Sequence, residues 1–222
     1  SILVKRAIID YIRSGELSFD PPLDELQFRP HSVDLRLGFK FRIPKSVIDR
    51  EKGRSALTLD HYSLKAGQFA YFEEITLKPG QYFDILPNEA VIGFSLEKID
   101  LKSPLLMGVL FPRSSVNRRG LAVDLTGIID AGYRGHLMFP IRNNTIMQVI
   151  RIYPGERICQ LIFERLDQPV SEGYKGRYTA KTKTKIPPAY LPEINKEETR
   201  LIRQGKIAQI KRKFAISLPK NI

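Results

Sequence analysis

The chain has 222 residues, 42% of them hydrophobic, enough for one sizeable core with or without an appendage. Its net charge of +12 is unevenly spread: residues 1–172 hold 23 basic and 21 acidic side chains, whereas residues 173–222 hold 13 and 3. One cysteine, Cys159, and three scattered histidines, His31, His61 and His136, exclude an internal disulfide and argue against structural zinc or a thiolate-held catalytic zinc.

Residues 2–14 place Ile2, Ala7, Ile8, Tyr11 and Ile12 at helical spacing and stop at Gly15, which predicts a short N-terminal helix. Pro21, Pro22 and Pro30 then mark loop chemistry. From Val33 to Phe163 short β-type runs follow one another, punctuated by Lys78-Pro79-Gly80, Pro87-Asn88 and Pro154-Gly155, with no helix expected between them. That order predicts an all-β sandwich, jelly roll or barrel-like domain over residues 1–172. Residues 173–222 form a second, basic region. Its first part is rich in Lys and Thr and flexible when free. Glu193 to Phe214 then reads as one amphipathic helix, with acids at its start and bases at its end. No apolar run reaches about 18 residues and the N-terminal residues lack a signal-peptide layout, so the expected location is the cytoplasm.

The chemistry concentrates in residues 112–135. Arg113, Ser114 and Ser115 combine a permanently charged guanidinium with two hydroxyls, a donor set suited to phosphate oxygens. A short strand later, Ile129-Asp130-Ala131-Gly132-Tyr133 sets a carboxylate and an aromatic on a glycine-containing turn. Asp34 alternates with Val33 and Leu35 and so faces away from their apolar side, towards solvent, Arg36 or a site. Gln160 lies inside the apolar run Arg157–Phe163, where its amide needs a hydrogen-bond partner. Cys159 beside it is expected to be a buried thiol.

Four segments in this order resemble the dUTPase and dCTP deaminase superfamily: His31–Gly38, Arg113–Ser115, Ile129–Gly135 and Gly155–Leu161. The resemblance implies a distorted jelly roll, or β-clip, assembled as a homotrimer with shared sites. It implies that Arg113, Ser114 and Ser115 bind the phosphates of a deoxypyrimidine triphosphate, with Arg118 approaching the active site and Arg119 a solvated strand-end charge. Asp130 takes the place of the carboxylate that contacts the 3′-hydroxyl and activates water, and Ile129 and Tyr133 the place of residues that hold the nucleoside. Asp34 becomes an acid supporting the catalytic site or the water shell of Mg²⁺, which is expected mainly through substrate phosphates. Gln160 lies near the nucleotide, and Glu156 and Arg157 are structural. Tyr174, Lys175 and Arg177 resemble the deaminase branch's closing arm.

The superfamily divides at one strand. Its deaminase branch carries a glutamate there, where this chain has Pro140 in His136–Asn143. Proline has no proton to shuttle, so the expected activity is dUTP diphosphatase, giving dUMP and pyrophosphate. The alternatives are a dCTP deaminase, with or without the second activity, and a non-catalytic nucleotide- or nucleic-acid-binding module using the basic tail.

Overall fold

In the computed structural model, residues 1–45, 47–50, 53–56, 72–123, 127–171 and 195–215 are described. They divide into two compact units, one within 1–57 and 69–186 and the other at 195–215.

The larger unit is the expected β domain. Helix α1 (Lys5–Arg13) precedes strand β1 (Leu17–Asp20), a 3-10 turn (Glu25–Gln27) and the long β2 (Val33–Pro44). A small hairpin, β3 (Val47–Arg50) and β4 (Gly53–Ala56), is followed by β5 (Phe72–Thr76), β6 (Phe83–Ile85), β7 (Ala90–Leu101) and β8 (Leu106–Pro112). Then come α2 (Ser114–Asn117), β9 (Leu121–Val123), β10 (Ile128–Ile129), β11 (Arg134–Asn143), β12 (Ile150–Ile152) and β13 (Arg157–Arg165). Nine strands form one curled sheet, ordered β10-β8-β13-β2-β7-β11-β9, with β1 also on β7 and β5 also on β2. The result is jelly-roll-like.

The curl depends on β2 serving two layers. Its first half pairs with β13, placing Gln160 opposite Asp34 and Cys159 opposite Leu35. Its second half pairs with β5 and β7, placing Phe41 opposite both Ile75 and Gly93. The change of partner falls where the β2–β7 register shifts between Leu37 and Phe41. Gly38 sits at that junction, and a Cβ there would stand 3.0 Å from the Phe94 carbonyl oxygen. Only glycine lets the two backbones come that close. Leu35, Leu37, Phe41, Phe139 and Phe163 fill the interior with no exposure. Each such side chain contributes roughly 1.5–3 kcal/mol of burial. Cys159 is buried as expected, and burial, with the nearby charges of Glu97 and Asp34, pushes its thiol well above its ordinary range.

Two expectations change. A helix does interrupt the strands: α2 is a single turn, too short to show helical periodicity in sequence. The expected helix over Glu193–Phe214 is two helices, α3 (Lys196–Arg203) and α4 (Ile207–Lys213), separated at Gly205 with φ +67°. A left-handed residue ends the first helix, and glycine adopts that conformation without steric cost. Among the described residues, no helix is long and apolar enough to cross a membrane.

Candidate functional site

The site grows from a buried charge. Asp34 has no exposure, yet it lies on β2 between Val33 and Leu35. The face opposite their apolar side is roofed by arginines. Arg29 donates from Nε and Nη2 to Asp34 Oδ2 at 3.0 and 2.8 Å. Arg157 Nη1 reaches the same oxygen at 3.3 Å and donates to the Leu26 carbonyl at 2.6 Å. Arg113 Nε stands 3.5 Å from it, while its Nη1 donates to the Arg157 carbonyl at 2.9 Å. Gln160 Nε2 completes the set at 3.3 Å from Oδ1, so the amide has the partner its strand position demanded. Arg36, by contrast, pairs with Asp24 at 2.8 Å rather than with Asp34.

One carboxylate therefore faces three guanidiniums, leaving about two positive charges in excess. Their side chains are 36%, 19% and 26% exposed for Arg29, Arg113 and Arg157, so each keeps N–H donors within reach of solvent. Burial pulls the Arg113 guanidinium down from its usual range; Asp34 opposes this, and the charges of Arg157, Arg29 and Arg119 add to it. Arginine does not give up its proton at such shifts; burial is the larger cause, and the smaller part, from the neighbouring guanidiniums, is the part that a bound polyanion relieves.

Arg113 also immediately precedes α2, which sets Ser114 and Ser115, both exposed, next to the cluster. Arg118 ends the same turn and is exposed. Arg119 is not simply solvated: it pairs with Glu156 at 2.9 Å. The β10–β11 turn uses Gly132 at φ +84° and leaves Asp130 exposed, while Ile129 is buried in β10. Tyr133 belongs to the core, with its hydroxyl donating to the His136 carbonyl at 2.9 Å. The structure thus joins Asp34, Arg113 and Gln160 in one hydrogen-bonded cluster. Tyr174, Lys175 and Arg177 lie outside the described residues.

Sequence reasoning missed Arg29 and Glu97 and gave Arg157 only a structural part. Glu97, on β7, is 1% exposed; its carboxylate accepts from Gln27 Nε2 at 2.6 Å and from the Arg36 N–H at 3.0 Å. Gln27 also donates to the Asp34 carbonyl at 2.9 Å, so Glu97 braces the strand that carries Asp34. The signal was available in strand parity, since Glu97 shares a face with Ile99 and Leu101.

Burial pushes the Glu97 carboxyl above its ordinary value of 4.5, against the hydrogen bonds from the Arg36 and Glu97 backbone and from Gln27. A raised folded-state pKa gives stability that is complete below about 4.5 and is lost as pH rises through the folded value. Urea midpoints measured from about pH 4 to about pH 8 are therefore expected to fall for the wild type relative to Glu97→Gln. Parallel curves would remove Glu97 from this role.

Comparison with known proteins bears on both family and activity. Residues 2–166 match the family model for dCTP deaminase-like proteins. The chain is 35% identical over 179 residues to the "dCTP deaminase, dUMP-forming" of Aquifex aeolicus, covering 80% of this chain and 88% of that one. It is 32% identical to the protein of the same name from Methanobrevibacter smithii, covering 78% and 85%. The crystal structure of 2'-deoxycytidine 5'-triphosphate deaminase from Agrobacterium tumefaciens shares the fold at a TM-score of 0.55 and 24% identity. This chain covers 49% of that protein, and 75% of its own length is matched.

These relatives overturn the expectation of a plain dUTP diphosphatase. That expectation rested on one position, Pro140, whose ring lies on the exposed face of β11. An acid missing from one strand says little about a site whose charged groups come from distant parts of the chain, as the Asp34 cluster does. Matched over more than half of its length by the family model and over 80% by a relative at 35% identity, the chain belongs to the dCTP deaminase-like family.

Proposed function

We propose that this protein converts dCTP to dUMP, using one water to replace the C4 amino group and a second to release pyrophosphate. The observation that carries the reading is the Asp34 cluster, whose excess positive charge includes Arg113, the residue next to Ser114 and Ser115. A triphosphate is the part of this substrate that such a cluster suits. Arg113, with Ser114 and Ser115, would bind the phosphate oxygens, and Arg118 would approach them from the end of α2. Gln160, held on Asp34, would present its remaining amide groups to the nucleotide. Tyr133 and Ile129 would shape the sugar end of the pocket from the hairpin, and Tyr174, Lys175 and Arg177 would close over the nucleotide.

Asp130 is the acid assigned to water activation. General base catalysis is worth about 10²–10⁴-fold. Pro140 carries no proton, so the base-side proton transfer falls to another group, and Asp130 is the acid nearest to β11 in the chain. Mg²⁺ would enter with the triphosphate and neutralise charge on its oxygens. Asp34 already has three cationic partners, so the ion would be held chiefly through phosphate oxygens and water.

Incubation with dCTP and Mg²⁺, followed by chromatography, is expected to yield dUMP, with Asp130→Asn slower by at least about 100-fold. dCTP left intact by the wild-type protein would overturn the reading. A homotrimer with shared sites is part of the same proposal; the exposed apolar side chains of Ile128 and Phe111, next to the hairpin, support an assembly. Light scattering at the mass of one chain would contradict it.

A further inference from the structure

The helical unit at residues 195–215 carries charge that nucleotide turnover leaves unused. Helix α3 is well capped, since Asn195 Oδ1 accepts from the N–H groups of Glu197 and Glu198 at 3.0 and 3.1 Å. Glu197 then accepts from Arg200 at 2.7 Å and from Lys213, sixteen residues on, at 3.0 Å. The second bond ties the end of α4 to the start of α3. Between the helices run Gln204, Gly205 and Lys206, with Gly205 left-handed. Two helices joined by a three-residue turn containing glycine are the connection used in helix-turn-helix modules.

The charge on this frame is one-sided. After Glu198 no acid occurs, while Arg200, Arg203, Lys206, Lys211, Arg212 and Lys213 follow, all exposed. Residues 196–214 hold seven bases and two acids, against the near balance of residues 1–172. Half of the net charge of residues 173–222 thus sits on this small, internally fastened element. Such a field attracts polyanions.

We infer that the α3–α4 pair docks on the phosphodiester backbone of duplex DNA, with Lys206, Lys211 and Arg212 neutralising phosphates. Lys213 is engaged by Glu197 and serves chiefly to hold the helices together. A lipid surface is the poorer match. An interfacial helix needs one continuous apolar face, whereas here Leu201 is buried within the pair and Gly205 breaks the run between α3 and α4.

The test uses the full chain and the triple variant Lys206→Gln, Lys211→Gln, Arg212→Gln, with a fluorescent DNA duplex of about 20 base pairs read by anisotropy at roughly 50 to 200 mM salt. The wild type should bind, with log affinity falling linearly with log salt. The variant should bind about tenfold or more weakly at the lowest salt, with a slope shallower by up to about 3. Unchanged circular dichroism and unchanged dCTP turnover would show that the variant keeps its fold. Equal affinity and slope for the two proteins would overturn the inference. So would an absence of wild-type binding, or binding to anionic phosphatidylserine vesicles but not to the duplex.

Discussion

Asp34→Ala is expected to lower the free energy of unfolding by roughly 3 kcal/mol, the low end of the range of about 3–5 kcal/mol for breaking a buried ion pair from one side. The low end applies because Arg29, Arg113 and Arg157 reach solvent and keep part of their hydration. The loss comes less from the missing bonds than from three guanidiniums left facing one another without a counter-charge. Adding Arg29→Gln to Asp34→Ala should therefore restore part of the stability, because the second change removes repulsion. Urea unfolding of the two single variants and the double variant forms the cycle that measures this. Strict additivity would mean that the two residues do not act on each other.

Arg113→Lys is expected to lower kcat/KM for dCTP by about 100-fold or more, with the fold intact. Arginine's fork lets one side chain donate to the Arg157 carbonyl, lie against Asp34 and still present N–H groups to a phosphate. An ammonium on a flexible stem cannot meet all three, although it keeps the charge. Hydrogen bonds between charged groups are worth about 1.5–3 kcal/mol each, and losing one or two of them at the phosphates accounts for the expected factor. The discriminating measurement is product inhibition. dUMP, with one phosphate, should bind the variant nearly as well as the wild type if Arg113 serves the outer phosphates. An equal loss for dUMP and triphosphate would place Arg113 elsewhere.

The parts of this protein that sequence made legible are those encoded locally. Strand alternation and turn residues give the β domain, and the helical spacing of Ile8, Tyr11 and Ile12 gives α1, seen at Lys5–Arg13. The four motif segments give the family, because each is a short contiguous run. What stayed hidden is what the sheet assembles from afar. Asp34 meets Arg29 five residues away and Arg157 123 residues away, and no local pattern announces either contact. The parity of β2 turned Asp34 away from the apolar side correctly, but it could not say that arginines covered the other face. Gly205 illustrates a different limit: the amphipathic pattern continues across it, while its left-handed backbone ends the helix. The assignment of activity failed for the same reason as the Asp34 contacts, since it weighed one strand position against a site drawn from several elements.

The most direct test of the proposed reaction is its stoichiometry. In one reaction with dCTP, ammonia and pyrophosphate should appear in equal amounts from the earliest time points, matched by dUMP, and both should be lost together in Asp130→Asn. Pyrophosphate released without ammonia would contradict the deamination step, and ammonia released without pyrophosphate would contradict the formation of dUMP.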